Sequence, residues 1–276
     1  METVCRTCMH HCRLKEGQYG ICGVRKKEGG KVVCESYGKV TALALDPIEK
    51  KPLKRFYPGS RILSVGSYGC NLRCPFCQNY EISMEYKACG ADVQRAAYLS
   101  PERLVQKALE YERAGNIGVA FTYNEPLVGW EYVRDAAKLV KQAGMKTVLV
   151  TNGSASMEVL EEVLPFIDAM NIDLKCFRED CYRRLGGDLE TVKAFIQRAA
   201  KDCHVELTTL IVPGQNDDVP QMEEEARWIG EKIPLHVTRF FPRYQMQDVP
   251  AVDVQTVYRL ANVAGKYVEH VYVGNC

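Results

Sequence analysis

The sequence lacks an excess of charge of either sign: 36 Lys and Arg stand against 35 Asp and Glu, so the formal net charge is +1 at pH 7. The chain therefore has no overall field that would draw it to nucleic acid or to an anionic membrane. It also lacks an apolar run of the roughly 18 residues that a membrane span needs, and no apolar signal-peptide segment follows Met1. We therefore expect a cytoplasmic protein with no nucleic-acid and no membrane partner.

Internal repeats, low-complexity tracts and long linkers are also missing. A chain of 276 residues, of which 46% are hydrophobic, is long enough for one large α/β domain with a small appendage. We expect the appendage at residues 1–58 and the main domain at residues 59–276.

From Arg61 onward, strand-like runs alternate with helix-like segments. The strand-like runs are 62–65, 118–121, 147–150, 170–174, 205–212 and 236–240. The helix-like segments are 101–114, 127–143, 154–164, 188–201, 219–232 and 253–265. This alternation predicts an α/β fold with a parallel sheet, and six units suit a partial (β/α)6 barrel. Reactive side chains should then follow the carboxyl ends of the strands.

The expected appendage begins with a Cys-rich segment and continues into a predicted β-hairpin. Residues 32–34 and 40–45 form its two strand-like runs, and Tyr37-Gly38 lies between them. The charged run at residues 49–55 is typical of a solvated connector, and its alternative role is to dock an acidic partner.

Thirteen cysteines in a chain without a secretion signal indicate metal binding more than disulfide bonds. Cys70, Cys74 and Cys77 are spaced C-x3-C-x2-C directly after the first strand of the predicted barrel. Three thiolates in so short a loop suit a cubane iron-sulfur cluster that leaves one iron free to react. The alternative is a closed site of four cysteines that would recruit Cys89.

A second group of cysteines opens the chain: Cys5, Cys8, Cys12 and Cys22, spaced C-x2-C-x3-C-x9-C. Four thiolates fit structural zinc, and a short segment without a core gains order from such a metal. A second iron-sulfur cluster and unligated thiols are the alternatives. For most of the six scattered cysteines we expect buried thiols that pack as small apolar side chains. These six are Cys34, Cys89, Cys176, Cys181, Cys203 and Cys276.

The spacing of Cys70, Cys74 and Cys77, with Phe76 just before the third cysteine, resembles the signature of the radical S-adenosylmethionine (SAM) superfamily. The resemblance implies that the open iron of a [4Fe-4S] cluster chelates the methionine part of SAM. Reductive cleavage of SAM would then give a 5'-deoxyadenosyl radical that abstracts hydrogen from a substrate. In such enzymes the cofactors supply the chemistry and the protein orients them.

Polar residues follow the other strands of the predicted barrel, and these are the candidate SAM contacts. A carboxylate and an amide are suitable partners for a cofactor that carries an ammonium and a sulfonium. Alternation along a strand places Asp173 and Lys175 on one face, where a purely structural ion pair is the alternative. Asn124-Glu125-Pro126 is similar to the Gly-Gly-Glu-Pro segment of radical SAM enzymes. These candidates are Asn124, Glu125, Asn152, Asp173, Lys175 and Arg239, and Phe76 of the cysteine loop is a further candidate.

A closer resemblance is to the radical SAM enzymes of the AmmeMemoRadiSam system, which are similar to pyruvate formate-lyase activating enzyme. It rests on the Cys-rich start and on segments 43–52, 74–79, 121–126 and 271–275. The family implies SAM, a reductant such as flavodoxin or ferredoxin, and protein partners of the same system. The sequence does not identify the substrate.

Two other functions stay open at this point. A glycyl-radical enzyme activase would act on a large protein partner, but activases usually have His after the third cysteine and Asp before Thr-Asn-Gly. This chain has Gln78 and Val150 at those places. A non-catalytic zinc-binding module would need basic patches with interleaved aromatic residues, and the near-zero net charge disfavours it.

Overall fold

The computed structural model describes residues 1–84 and 96–276. The strands are β1 (Thr3–Val4), β2 (Arg13–Leu14), β3 (Arg25–Glu28), β4 (Lys31–Cys34), β5 (Lys39–Val40), β6 (Ala42–Pro47), β7 (Arg61–Gly66), β8 (Ala97–Tyr98), β9 (Asn116–Phe121), β10 (Lys146–Thr151), β11 (Ala169–Asp173), β12 (His204–Ile211), β13 (Leu235–Arg239) and β14 (Val271–Gly274). The helices are α1 (Tyr80–Ser83), α2 (Pro101–Glu110), α3 (Trp130–Gln142), α4 (Met157–Val163), α5 (Glu179–Arg184), α6 (Leu189–Ala199), α7 (Val219–Ile229) and α8 (Val254–Ala264). In this part of the chain, no helix combines the length and the apolar character that crossing a membrane requires.

An eight-stranded sheet, in the order β14-β13-β12-β11-β10-β9-β7-β6, forms the centre of the described structure. Neighbouring strands from β7 to β14 run parallel, and β6 is added antiparallel at one edge. All six predicted barrel strands are present, and helices separate them along the chain. The predicted α/β fold is therefore confirmed, with β14 as a further parallel strand.

Polar caps determine where most of the long helices begin. Ser100 accepts a hydrogen bond from the Arg103 N–H and Pro101 opens α2, as the sequence predicts. Asp188, Asp218 and Asp253 cap α6, α7 and α8 in the same way. The α3 helix starts three residues later than predicted, because residues 126–129 form a 3-10 turn.

The predicted hairpin between residues 32–34 and 40–45 is wrong. Strand β4 pairs with β3, and β6 pairs with β7 of the central sheet. Gly29 and Gly30 have φ values of 58° and 80°, which a two-residue type I′ hairpin turn requires at both positions. The division of the chain at residue 58 stays a prediction, and β6 on its amino-terminal side belongs to the central sheet.

Residues 48–56 close the sheet at the amino ends of the strands, where they form a base cluster. Its members are Ile48, Leu53, Phe56, Ile62, Ala120, Val148 and Ala169, all buried. The prediction of a solvated connector at 49–55 is wrong for Lys51 and Leu53, which are 3% and 0% exposed. Leu53 joins the base cluster, and Lys51 is neutralised by Asp46 at 2.9 Å.

Candidate functional site

The loop that carries Cys70, Cys74 and Cys77 follows β7 at the carboxyl edge of the sheet, as predicted. Leu72 is 1% exposed and anchors the loop in the protein interior. The backbone closes a turn through the Cys77 N–H, which donates to the Cys74 carbonyl at 3.2 Å. These contacts hold all three thiols in one short segment, and all three are free.

The three thiols lie in surroundings that disfavour an unpaired thiolate. Burial raises the pKa of Cys70 well above its ordinary value, raises that of Cys74 to about 11 and also raises that of Cys77. The ammonium of Lys175 acts in the opposite direction on Cys74 and Cys77. A bound cationic iron centre would stabilise the thiolates in the same sense.

Hydrogen-bond donors are aimed at Cys70. The Leu72 N–H lies 3.4 Å from the Cys70 sulfur and Asn152 Nδ2 lies 3.8 Å from it. Donors of this kind tune cluster thiolates, so three free thiols with N–H groups beside them fit an iron-sulfur cluster.

No group of three or more His, Cys, Asp or Glu side chains in residues 1–84 and 96–276 is arranged to hold a metal ion. A cubane differs from a single ion because its cysteines bind different irons. Cys89, the alternative fourth ligand, lies outside the described residues.

Glu125 follows β9 and is 3% exposed. Its Oε1 accepts from the Thr151 hydroxyl at 2.8 Å and from the Leu127 N–H at 3.0 Å, and its Oε2 accepts from the Asn152 N–H at 2.8 Å. Burial outweighs these bonds and raises the pKa of Glu125 to about 7. Within the described residues Glu125 has no ion-pair partner, so none of them neutralises its negative charge.

Asn124 and Asn152 tie neighbouring loops together. Asn124 accepts from the Ser67 N–H at 3.0 Å and donates to the Gly69 carbonyl at 3.0 Å, which joins the β9 loop to the cysteine loop. Asn152 donates to the Asn71 side chain at 2.9 Å. Both predicted residues therefore lie against the cysteine loop.

Asp173 ends β11, and Lys175, two residues further on, forms an ion pair of 2.7 Å with it. Burial disfavours the Lys175 ammonium, but the nearby Asp173 carboxylate and the thiols outweigh burial and raise the pKa of Lys175. The Lys175 N–H donates to the buried Tyr182 hydroxyl at 3.1 Å. Because its charge acts on Cys74 and Cys77, Lys175 lies near the cysteine loop.

A disulfide bond joins Cys176 and Cys181 directly after this pair. The two residues are buried, as expected, but they do not act as separate apolar thiols. Their separation of five residues is short enough for one turn to bring them together, which the count of scattered cysteines did not indicate.

Two predicted contacts have other roles in the structure. Phe76 is 4% exposed and packs in the main hydrophobic core. The Nε of Arg239 donates to the Val252 carbonyl at 2.7 Å, and its guanidinium lies 4.9 Å from the centre of the Phe241 ring. In the part of the chain that the structure describes, Arg239 makes no hydrogen bond to another predicted site residue.

The amino-terminal cysteines lie beside the cysteine loop. Cys5, Cys8 and Cys22 are buried, and the charges of Cys22 and Cys5 act on Cys8. Burial raises the pKa of Cys8 to about 11. The Cys12 sulfur lies against Gly20, where a Cβ would be 3.4 Å away. All four are free thiols.

Several contacts join this amino-terminal segment to the site. His10 Nε2 lies 2.8 Å from the Asn71 carbonyl oxygen. The backbone of Cys8 pairs with that of Ala155, after β10, in an isolated antiparallel β-bridge. Asn71 is 1% exposed and links Asn152, His10 and the cysteine loop. Asn71 was not identified as a site residue from the sequence, although its position directly after Cys70 could have indicated it.

The comparison with known families agrees with this geometry: residues 64–226 match the radical SAM superfamily. This match spans more than half of the chain, so the protein belongs to the radical SAM superfamily. Its members use a [4Fe-4S] cluster and a reductant to cleave SAM to a radical that abstracts hydrogen. This protein is accordingly a radical SAM enzyme.

Individual relatives narrow the comparison. The chain is 37% identical to the uncharacterized protein MJ0808 of Methanocaldococcus jannaschii, over 98% of this chain and 80% of that protein. It is 27% identical to the pyruvate formate-lyase 1-activating enzyme of Escherichia coli, over 63% of this chain and 68% of the enzyme. The chain is therefore homologous to activating enzymes of glycyl-radical enzymes.

Among solved structures, a radical SAM methyltransferase from Sphaerobacter thermophilus superposes with a TM-score of 0.58 at 16% identity, covering 80% of this chain and 68% of that chain. At this identity, the likeness supports the fold alone.

Proposed function

We propose that this protein is the radical SAM enzyme of an AmmeMemoRadiSam system and that Cys70, Cys74 and Cys77 hold its cluster. The bound cluster supplies the electron that cleaves SAM. The observation that carries the assignment is the buried Glu125 carboxylate, whose charge the chain leaves without a cationic partner among the described residues. A cationic ligand beside the cysteine loop would stabilise that charge.

The chemistry of the surrounding residues supports this assignment for SAM. A carboxylate has about four acceptor positions, and the described residues use three of those on Glu125, which leaves one for the SAM ammonium. We assign Asp173 and Lys175 to the opposite side of the ligand, where Lys175 can hold a carboxylate. Asn124, Asn152 and Phe76 orient the loops that form the site. Arg239 would contact SAM only after it leaves Val252.

A second candidate function is favoured by the likeness to the Escherichia coli activating enzyme. In that case the radical would abstract hydrogen from a large glycyl-radical protein partner. The site is the same in both proposals, so the two differ in the substrate. A flavodoxin or ferredoxin as reductant is part of both.

The amino-terminal cysteines form the remaining proposed site. Cys5, Cys8, Cys12 and Cys22 would hold structural zinc or a second iron-sulfur cluster, because four free thiols occur in one short segment with little core of its own. The described residues do not arrange these thiols around a metal ion, so binding would have to bring them together. The expected result of zinc loading is greater stability of residues 1–28.

Anaerobic reconstitution tests both metal assignments. Iron, sulfide and zinc are counted per chain, and the protein is then reduced with dithionite in the presence of SAM. We expect about four irons and formation of 5'-deoxyadenosine; one zinc in addition would identify the amino-terminal site as structural, and about eight irons would identify a second cluster. Zinc alone with SAM left intact would overturn the proposed function.

The partner assignment needs a separate measurement. The reduced enzyme is incubated with SAM and either the proteins of its own system or a glycyl-radical enzyme. Growth of a glycyl-radical signal in the electron paramagnetic resonance (EPR) spectrum would favour the activase function. Deuterium transfer into deoxyadenosine from another labelled substrate would favour the first proposal.

A further inference from the structure

Tyr123 lies between β9 and the Asn124-Glu125 pair and has a φ of 75°. This left-handed backbone conformation is unfavourable for a residue with a Cβ and a bulky ring. A tyrosine persists there only when its surroundings hold it. The contacts of Tyr123 show what those surroundings are.

The first anchor acts on the side chain. The Tyr123 hydroxyl donates to Asp46 Oδ2 at 2.8 Å, and the same oxygen accepts from Lys51 Nζ at 2.9 Å. The Lys51 ammonium also lies 4.6 Å from the centre of the Tyr123 ring, within the range of a cation–π interaction. These hydrogen bonds outweigh burial and lower the pKa of Asp46 to about 2, so the acceptor is ionised at neutral pH.

The second anchor acts on the backbone. Asn79 Nδ2 donates to the Tyr123 carbonyl at 2.7 Å, and Asn79 follows Cys77 by two residues. The ring packs on Gly66, the last residue of β7, where an added Cβ would lie 2.7 Å from the ring. Tyr123 therefore touches the strand that leads into the cysteine loop and the segment that leaves it.

We propose that Tyr123 is a positioning residue for SAM, held by Asp46 and Lys51, which fixes the turn that presents Asn124 and Glu125 to the cysteine loop. The inference rests on the proposed SAM site. The inference gives Asp46 and Lys51 an indirect role in SAM binding, through Tyr123. Asp46 lies in the edge strand β6, and Lys51 follows the turn after it. Tyr123 itself does not need to touch SAM.

The test uses Tyr123→Phe and Asp46→Asn in the reconstituted enzyme, with Tyr37→Phe as matched control. Tyr37 donates to Asp135 of α3 at 2.9 Å, so the control removes a tyrosine–aspartate hydrogen bond of similar length that involves neither Tyr123 nor Asp46. KM for SAM and kcat are measured from deoxyadenosine formation. The change that SAM produces in the EPR spectrum of the reduced cluster is titrated in parallel.

We expect Tyr123→Phe to raise KM for SAM about tenfold and to leave kcat at saturating SAM within about twofold. The change would misplace groups that bind SAM, but it removes no group that takes part in the reaction. Asp46→Asn should have a similar effect. The double variant should be no worse than Asp46→Asn alone, because that change already weakens the Tyr123 hydrogen bond and also removes the charge that neutralises Lys51. Tyr37→Phe should match the wild type, and iron content should be equal in all variants.

Glu125→Gln separates this inference from the proposed function. If Glu125→Gln raises KM while Tyr123→Phe and Asp46→Asn match the wild type, the positioning role is wrong and the SAM site stands. If Glu125→Gln also matches the wild type, the SAM site and the inference that rests on it are both wrong. Additive effects of Tyr123→Phe and Asp46→Asn would overturn the coupling between them.

Discussion

Two buried glutamates at opposite ends of the sheet have opposite electrostatic surroundings. Glu125, after the carboxyl end of β9, has a pKa raised to about 7, whereas Glu206, near the amino end of β12, has a pKa lowered to about 2. Burial raises the pKa of both groups. At Glu206, hydrogen bonds from two histidines and two backbone N–H groups outweigh burial, and no histidine is among the three donors to Glu125.

The different partners of the two glutamates indicate a structural role for Glu206 and a ligand-binding role for Glu125. Glu206 accepts from His204 and His236 at 2.9 and 2.6 Å and from the N–H groups of Arg55 and Lys54 at 2.8 and 3.0 Å. Glu206 thereby binds residues 54–55, next to the base cluster, to the sheet, and its carboxylate accepts all four of these hydrogen bonds from described residues. No described residue forms an ion pair with Glu125, and a bound cation would stabilise its carboxylate.

The largest effect is expected from a change at the site end. Cys74→Ala should abolish reductive cleavage of SAM, because the cluster loses one of its three protein ligands. The free energy of unfolding of the metal-free chain should change little, since Cys74 is only partly buried. Deoxyadenosine formation and urea unfolding measure the two properties. Cys203→Ala, which removes another partly buried free thiol, is the control and should keep activity; retained SAM cleavage in Cys74→Ala would contradict the cluster assignment.

The second effect is expected at the base end and on stability. Glu206→Ala should cost about 3–5 kcal/mol of unfolding free energy, because it leaves two imidazoles and two partly buried N–H groups without their acceptor. Activity per folded molecule should stay within about twofold. Glu190→Ala removes an exposed ion pair with Lys193 and should cost less than about 1 kcal/mol. A loss of activity in Glu206→Ala without a loss of stability would contradict the structural role of Glu206.

The sequence predicted the parts of this arrangement that depend on local pattern. The predicted alternation put Asp173 and Lys175 side by side, and the structure brings the two side chains together in a 2.7 Å ion pair, although β11 ends at Asp173. Strand ends located Glu125 and the cysteine loop, because parallel strands present their carboxyl ends at one edge.

Contacts between distant segments could not be predicted in this way. Glu125 is held by Thr151 and Asn152 from β10 and the loop after it, and those partners depend on the strand order. The left-handed backbone at Tyr123 is uncommon for a tyrosine, so no residue preference indicated it. Lys51 looked like part of a solvated charge run, since its partner Asp46 is buried by the fold and not by the local sequence.

The smallest effect concerns pH, where the two glutamates should act with opposite sign. Glu206 has a folded pKa of about 2 and an ordinary value of 4.5, so its stabilising contribution is present above pH 4.5 and is lost as the pH falls toward 2. Glu125 has a folded pKa of about 7, so the folded state binds its proton more tightly. Its contribution therefore decreases as the pH rises from 4.5 to 7. Each contribution should be on the order of 2 kcal/mol after allowance for solvent screening.

Urea unfolding of the metal-free chain across pH 2 to 8, with Glu206→Gln and Glu125→Gln as variants, measures these contributions as differences from the wild type. The Glu206→Gln difference should shrink toward acid pH, because the wild type loses its advantage there. The Glu125→Gln variant should gain relative to the wild type between pH 4.5 and 7, because an amide carries no charge that burial could penalise. If both differences changed with pH in the same direction, the two carboxylates would share one kind of environment, and the surroundings of Glu125 would no longer support the proposed SAM site.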